Sequence, residues 1–185
     1  MKYCSTCGHL VEQRIPEGDN RHRYVCVSCE TIHYQNPRIV AGTVPIWQGK
    51  ILLCRRAIEP RYGYWTLPAG FMENAETTIE AAERETREEA LAEVDIEGLC
   101  SIIDVPHINQ VHMFYRATLK DGTYGAGEES LETQLFALDD IPWNELSFPT
   151  VRKTLELFIE DFGKESFGVH VQDIRHPMSS STRRD

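Results

Sequence analysis

With 185 residues, 41% of them hydrophobic and 26% charged, the chain can bury one ordinary globular core plus a small appended module; two full-size domains do not fit. A net charge of −10 disfavours nucleic acid and membrane surfaces as partners. No apolar run approaches the roughly 18 residues that span a bilayer, and Lys2, Cys4, Cys7 and His9 stand where an export signal would need apolar residues, so a cytoplasmic protein with a packed α/β or α+β domain is expected.

The first 35 residues hold two C-x-x-C pairs, Cys4/Cys7 and Cys26/Cys29, separated by 18 residues. Six cysteines could pair as disulfides in a secreted protein, but without an export signal this spacing favours a zinc ribbon, two knuckles that bring four thiolates into a tetrahedron. A closed site of four thiolates leaves no position for a reacting water, so its zinc is expected to be structural. His9 and His33 lie beside the knuckles and are expected outside the ligand set.

Asn36-Pro37 ends this module. Residues 38–47 and 51–56 read as a β-hairpin turning at Gly49, and a loop rich in Pro, Arg, Gly and Tyr follows to Trp65. Residues 77–92 lack Gly and Pro, are rich in Ala and Glu, and repeat Ile79, Ala82, Thr86 and Ala90 at helical spacing. Strands are expected over 94–105, 111–119 and 133–138, a turn at 139–142, and a second helix over 149–162 burying Val151, Leu155 and Phe158. The expected organisation is a zinc ribbon over 1–35, a main domain over 36–163 and an extension over 164–185 whose last part is disordered. Cys54 and Cys100 fall in apolar strands as inert buried thiols.

The first helix carries the chemistry. Glu85, Glu88 and Glu89 are three and four residues apart and share one face, where each like-charge pair costs a few tenths of a kcal/mol. A solvated acidic surface helix would tolerate this; a divalent cation would remove the repulsion, and oxygen donors select a hard one such as Mg²⁺. Arg84 can pair at four-residue spacing with Glu80 or Glu88 and orient the carboxylates.

The stretch from Gly70 to Ala92 resembles the Nudix box, G-x5-E-x7-R-E-U-x-E-E-x-G-U with U apolar, and places Gly70, Glu76, Arg84, Glu85, Glu88 and Glu89 in register. Upstream, Trp65-Thr-Leu-Pro-Ala-Gly70 is similar to the family's W-x-L-P-G-G. Thr86, Leu91 and Ala92 depart from the pattern, Leu91 standing where it has Gly, which bears on the chain after the helix and not on the metal ligands. The resemblance implies an α/β fold, the Nudix α/β/α sandwich with a mixed sheet, and a Mg²⁺- or Mn²⁺-dependent diphosphatase. Glu85 and Glu89 would be the main ligands, the Gly70 carbonyl a further one, Glu88 a ligand or general base, and Glu76 a support for the loop. The acidic run Glu128-Glu129-Ser-Leu-Glu132 lies where similar proteins place an additional ligand or base, so Glu129 joins Glu88 and Arg84 as a candidate for catalysis.

Ribbon and box together, with Ile-His33-Tyr-Gln-Asn-Pro37-Arg and Leu-Cys54-Arg-Arg-Ala-Ile-Glu-Pro60, resemble a Nudix subgroup that includes plant FAD diphosphatases, and Pro106 is close to a Pro associated with ADP-ribose pyrophosphatases. The implied partner is a small nucleotide, with FAD favoured as substrate and ADP-ribose next. NADH pyrophosphatases are the alternative, though the S-Q-P-W-P-F-P stretch they carry is lacking here; a non-catalytic nucleotide sensor or nucleic-acid-binding regulator is the other, against which the intact glutamates argue. A homodimer is compatible with this reading. Tyr62, Tyr64, Trp65 and Phe114 could stack on a substrate ring or serve as core.

Overall fold

The computed structural model describes residues 1–175, and the chain divides after Pro37 into two compact units. The expected disorder of the last ten residues lies outside the described residues.

The first unit is a three-stranded antiparallel sheet of β1 (Val11–Arg14), β2 (Arg23–Cys26) and β3 (Ile32–His33) in the order β1-β2-β3. Its interior is small: besides Cys4 and Cys26, Pro16 and Val25 are buried. The two knuckles have matching backbones, because Gly8 after Cys7 and Glu30 after Cys29 both take positive φ, 76° and 57°. Gly8 N–H donates to the Cys4 carbonyl at 2.9 Å, and Cys26 N–H to the Thr31 carbonyl at 3.0 Å.

The second unit is built on an eight-stranded mixed sheet. Its path is β10 (Ser130–Phe136), β5 (Lys50–Arg56), β4 (Arg38–Trp47), β9 (Gln110–Leu119), β8 (Val94–Val105) and β11 (His170–Asp173). Short β6 (Trp65–Thr66) pairs with β5, and β7 (Ala69–Phe71) with β4. β4 runs parallel to β9 and β11 to β8, and the remaining pairs are antiparallel. The expected hairpin turns through Gln48 and Gly49, whose φ of 48° and 76° give the left-handed pair that suits strand twist.

Helices cover both faces. α1 (Thr78–Ala90) packs mainly on β4, and α2 (Pro149–Asp161) on β8. Side-chain alternation divides the core accordingly: Ile51, Leu53, Val44 and Phe114 join Val151, Leu155 and Phe158 under α2, while Leu52, Cys54, Ala117 and Leu119 join Ala90 on the opposite face. This explains why Ile51-Leu-Leu-Cys54 is apolar without alternation, as in a strand buried on both sides.

The helical repeat of α1 is not buried along its whole length. Ile79 is 42% exposed, and the buried face is Ala81, Ala82, Thr86, Glu89 and Ala90. Small residues let the helix approach β4, where Thr43 and Thr86 share a buried hydroxyl–hydroxyl bond of 2.7 Å. That close approach turns Glu89 inward. The 164–185 segment also holds structure not foreseen: β11 extends the sheet, tied to the end of α2 by His170 Nε2 and Asp161 Oδ2 at 2.6 Å.

Candidate active site and thiolate centre

The site forms where α1 lies against β7. Glu85, Glu88 and Glu89 share the helix face as their spacing requires, but their environments differ. Glu88 is exposed, Glu85 half-buried, and Glu89 only 6% exposed. The backbone of β7 runs beside the two inner carboxylates. Ala69 N–H donates to Glu89 Oε2 at 3.3 Å, and a Cβ on Gly70 would lie 2.4 Å from Glu85 Oε1. Position 70 therefore has no room for a side chain while the carboxylate stays where it is.

These carboxylates are uncomfortable as anions. Burial, with the Glu85 charge added, pushes the Glu89 carboxyl up to about 8. Burial also raises Glu85, against the hydrogen bond from Arg84. The charge of Glu129 adds to both, so this residue of the acidic run belongs to the same electrostatic cluster, whereas Glu132 is engaged by Arg55 at 2.8 Å. Oxygen donors converging with excess negative charge are the surroundings that a hard divalent cation fits, and the residues here fit one.

Arg84 sorts the carboxylates. Its Nε and Nη2 grip Glu76 at 3.0 and 2.8 Å, Nη1 reaches Glu85 at 2.7 Å and Glu88 at 3.1 Å, and Nη2 also donates to the Phe71 carbonyl at 3.2 Å. The guanidinium holds the Glu76 carboxyl down at about 2, and Glu76 in turn accepts the Glu73 amide at 2.6 Å, which fixes the loop before the helix. Of the two four-residue partners expected for Arg84, Glu88 is engaged and Glu80 is not. Glu80 closes the helix start instead, accepting the Thr77 amide at 2.7 Å while its own amide donates to Thr77 Oγ1 at 3.2 Å.

Arg56 belongs to the site although no helical spacing or box position marks it. Its charge acts on Glu89, its Nε donates to the Pro60 carbonyl at 2.9 Å, and its guanidinium lies 5.1 Å from the Phe148 ring centre. The Arg-Arg pair at the end of β5 was the available signal, and only the fold separates Arg55, paired to Glu132, from Arg56 at the carboxylates. Among the four aromatics, Trp65 and Phe114 are core, and Tyr62 and Tyr64 are exposed. Cys54 is buried near Glu89 and burial raises its thiol far above the usual range; burial pushes Cys100 up to about 11. Both are poor nucleophiles.

In the first unit, one sulfur from each of Cys4, Cys7, Cys26 and Cys29 lies within 4.8 Å of the others. Amides of Thr6, Ser28 and Cys29 point at the Cys4 and Cys26 sulfurs at 3.4 Å, and His33 Nε2 lies 3.3 Å from Cys4 Sγ. His9 instead bonds the Cys7 carbonyl at 3.2 Å. Four soft donors so arranged fit zinc and would hold it without a histidine.

The Nudix N-terminal zinc-ribbon family model matches residues 2–35, and the NUDIX domain model matches residues 36–158. A crystal structure of a NUDIX hydrolase from Nitrosomonas europaea is 48% identical, covering 94% of this chain and 100% of that one with a TM-score of 0.88. An ADP-ribose pyrophosphatase of Methanocaldococcus jannaschii is 28% identical over 115 residues, 59% of this chain and 67% of the relative. The crystal structure of an ADP-ribose pyrophosphatase from Streptococcus suis, 23% identical, shares the fold with a TM-score of 0.63 over 74% of this chain and 99% of that one. With both models matched in tandem, and the box glutamates gathered on one face of α1 against β7, the chain belongs to the Nudix hydrolase family.

Proposed function

We propose that the chain is a Mg²⁺- or Mn²⁺-dependent diphosphatase that splits a nucleoside diphosphate joined to a second group, with Glu85, Glu89 and the Gly70 carbonyl as the metal-binding set. The observation that carries this reading is the convergence of the half-buried Glu85 and buried Glu89 carboxylates on the β7 backbone, where burial disfavours the charge of both. A divalent cation bound there supplies Lewis-acid stabilisation of phosphate oxygens and makes water more acidic.

The remaining work falls to side chains. Water attacks one phosphorus, the bridging P–O bond breaks, and the bridging oxygen leaves with the other phosphate. The proton shed by the water passes to a carboxylate, and Glu88 and Glu129 are the two exposed ones at the site. Arg84 keeps Glu85 and Glu88 aimed, and Arg56 offers a cation to the substrate phosphates.

ADP-ribose is placed first as substrate, yielding AMP and ribose 5-phosphate. The activity named for the M. jannaschii relative supports it. FAD, yielding AMP and FMN, is second and rests on the sequence resemblance of the joining segments. Turnover of ADP-ribose, FAD, NADH and a nucleoside triphosphate, compared as kcat/KM at fixed Mg²⁺, tests this; a clear preference for NADH or the triphosphate overturns the substrate reading. Glu85→Gln and Glu89→Gln are each expected to lower kcat by several hundredfold, while Glu89→Gln melts no lower than wild type without metal, because an amide of the same shape replaces a buried carboxyl whose ionisation burial already disfavours. Near wild-type rates at saturating Mg²⁺ overturn the ligand assignment.

A further inference from the structure

The last turn of α1 carries Glu89 into the site, and it ends on a departure from the family pattern. Leu91, where that pattern has Gly, sits in the left-handed region at φ 46° and ψ 36°, a conformation that a branched side chain enters at a cost. The carbonyls at this end are covered from elsewhere in the chain. Gly125 N–H donates to the Ala90 carbonyl at 2.8 Å and Gly127 N–H to the Glu89 carbonyl at 3.1 Å, both from the segment between β9 and β10.

The two glycines are not equivalent. A Cβ on Gly127 would lie 1.7 Å from the Glu88 carbonyl oxygen, whereas one on Gly125 would meet Leu91 Cδ1 at 3.5 Å, an ordinary contact. From Gly127 the chain turns at once into β10, with Ser130 N–H donating to the Gly127 carbonyl at 3.1 Å. Glu129 lies inside that turn, and its carbonyl accepts Ala57 N–H, just past β5, at 2.8 Å. Glu129 is therefore held between the end of the carboxylate helix and the end of a central strand.

We propose that Gly127 is a positioning residue of the active site: its backbone docks on the Glu88 and Glu89 carbonyls and sets the register between the α1 carboxylates and Glu129. The charge of Glu129 acting on both Glu85 and Glu89 agrees with that register. The inference rests on the reading of Glu129 as a carboxylate of the reaction.

The test is a double-mutant cycle on kcat and KM with Mg²⁺ and ADP-ribose, or FAD if that is what the wild type hydrolyses. Gly127→Ala is expected to lower kcat about tenfold or more, as ångström-scale misplacement does, with KM little changed. In a Glu129→Gln background it should lower kcat no further. Gly125→Ala should cost less than Gly127→Ala. Full kcat in Glu129→Gln alone overturns the underlying reading and the inference with it. A loss there, with a separate and additive loss from Gly127→Ala, overturns the inference alone. Should Gly127→Ala fail to fold, amide hydrogen exchange on the wild type decides: a Gly127 amide exchanging as slowly as the amides of α1 supports the docking, and one exchanging at open-loop rates overturns it.

Discussion

The carboxylates of α1 were legible because their relation is local. Helical spacing alone puts Glu85, Glu88 and Glu89 on one face, whatever the rest of the chain does. Their burial was not legible, since it depends on how far α1 sinks toward β4. The partners of Arg84 show the boundary of such reasoning. Glu88 is four residues away and was found; Glu80 is four residues away and is taken by the Thr77 amide. The strongest grip on Arg84 comes from Glu76, through the chain bend before the helix. No motif or spacing in the sequence marks His112 on β9. Burial holds its imidazole down to about 4, and Gln110 Oε1 lies 2.9 Å from its Nε2. The unfolded chain binds a proton there near pH 6.5 and the folded one does not until about 4. Stability from this site is therefore complete above pH 6.5, falls as pH drops through that window, and stays low beneath it, a loss of up to about 3 kcal/mol. Urea midpoints of His112→Gln measured from pH 7 to 4 should fall less steeply than those of wild type; parallel slopes would refute this.

At the scale of elements, long segments with strong patterns match the expected bounds within a residue or two, whereas the strand expected over 133–138 begins three residues earlier, at Ser130, and ends at Phe136, and the shortest strands had no sequence pattern. β6, β7 and β11 hold two, three and four residues. Their strand character comes from partners far off in sequence, β7 from β4 and β11 from β8, so nothing in their own residues declares it. β7 matters most, because its backbone faces the inner glutamates. α1, by contrast, carries its own start signal. The reciprocal Thr77–Glu80 bonds satisfy two amides of the first turn, and Thr77→Ala should lower stability by about 1 kcal/mol in a denaturant titration. KM for the substrate should not follow, because Thr77 lies at the opposite end of the helix from Glu89. An unchanged midpoint would mean that water replaces the cap at no cost.

At the scale of the whole molecule, the two units draw stability from different sources. The second has a layered apolar core; the first buries little beyond Cys4, Pro16, Val25 and Cys26, so its folding free energy is expected to come from a metal held by its thiolates. Elemental analysis should find one zinc per chain, and a strong chelator should collapse hydrogen-exchange protection across residues 1–37 while leaving that of β4, β5 and β9 in place. Protection in the first unit that survives complete zinc removal would contradict this. The parallel pairing of β4 with β9, Arg38 opposite Gln110 and Ile46 opposite Thr118, bears on how the enzyme comes into being. The chain between these strands contains the whole of α1, so the box glutamates lie inside a long loop that closes only when β9 docks, and such non-local closures are slow. On the ribosome, every residue of the box leaves the tunnel well before the sheet that buries Glu89 can exist, and Glu129 emerges later still. A nascent chain halted before β9 would carry the complete motif without the sheet that buries Glu89, so that the proposed metal site would arrive late in synthesis.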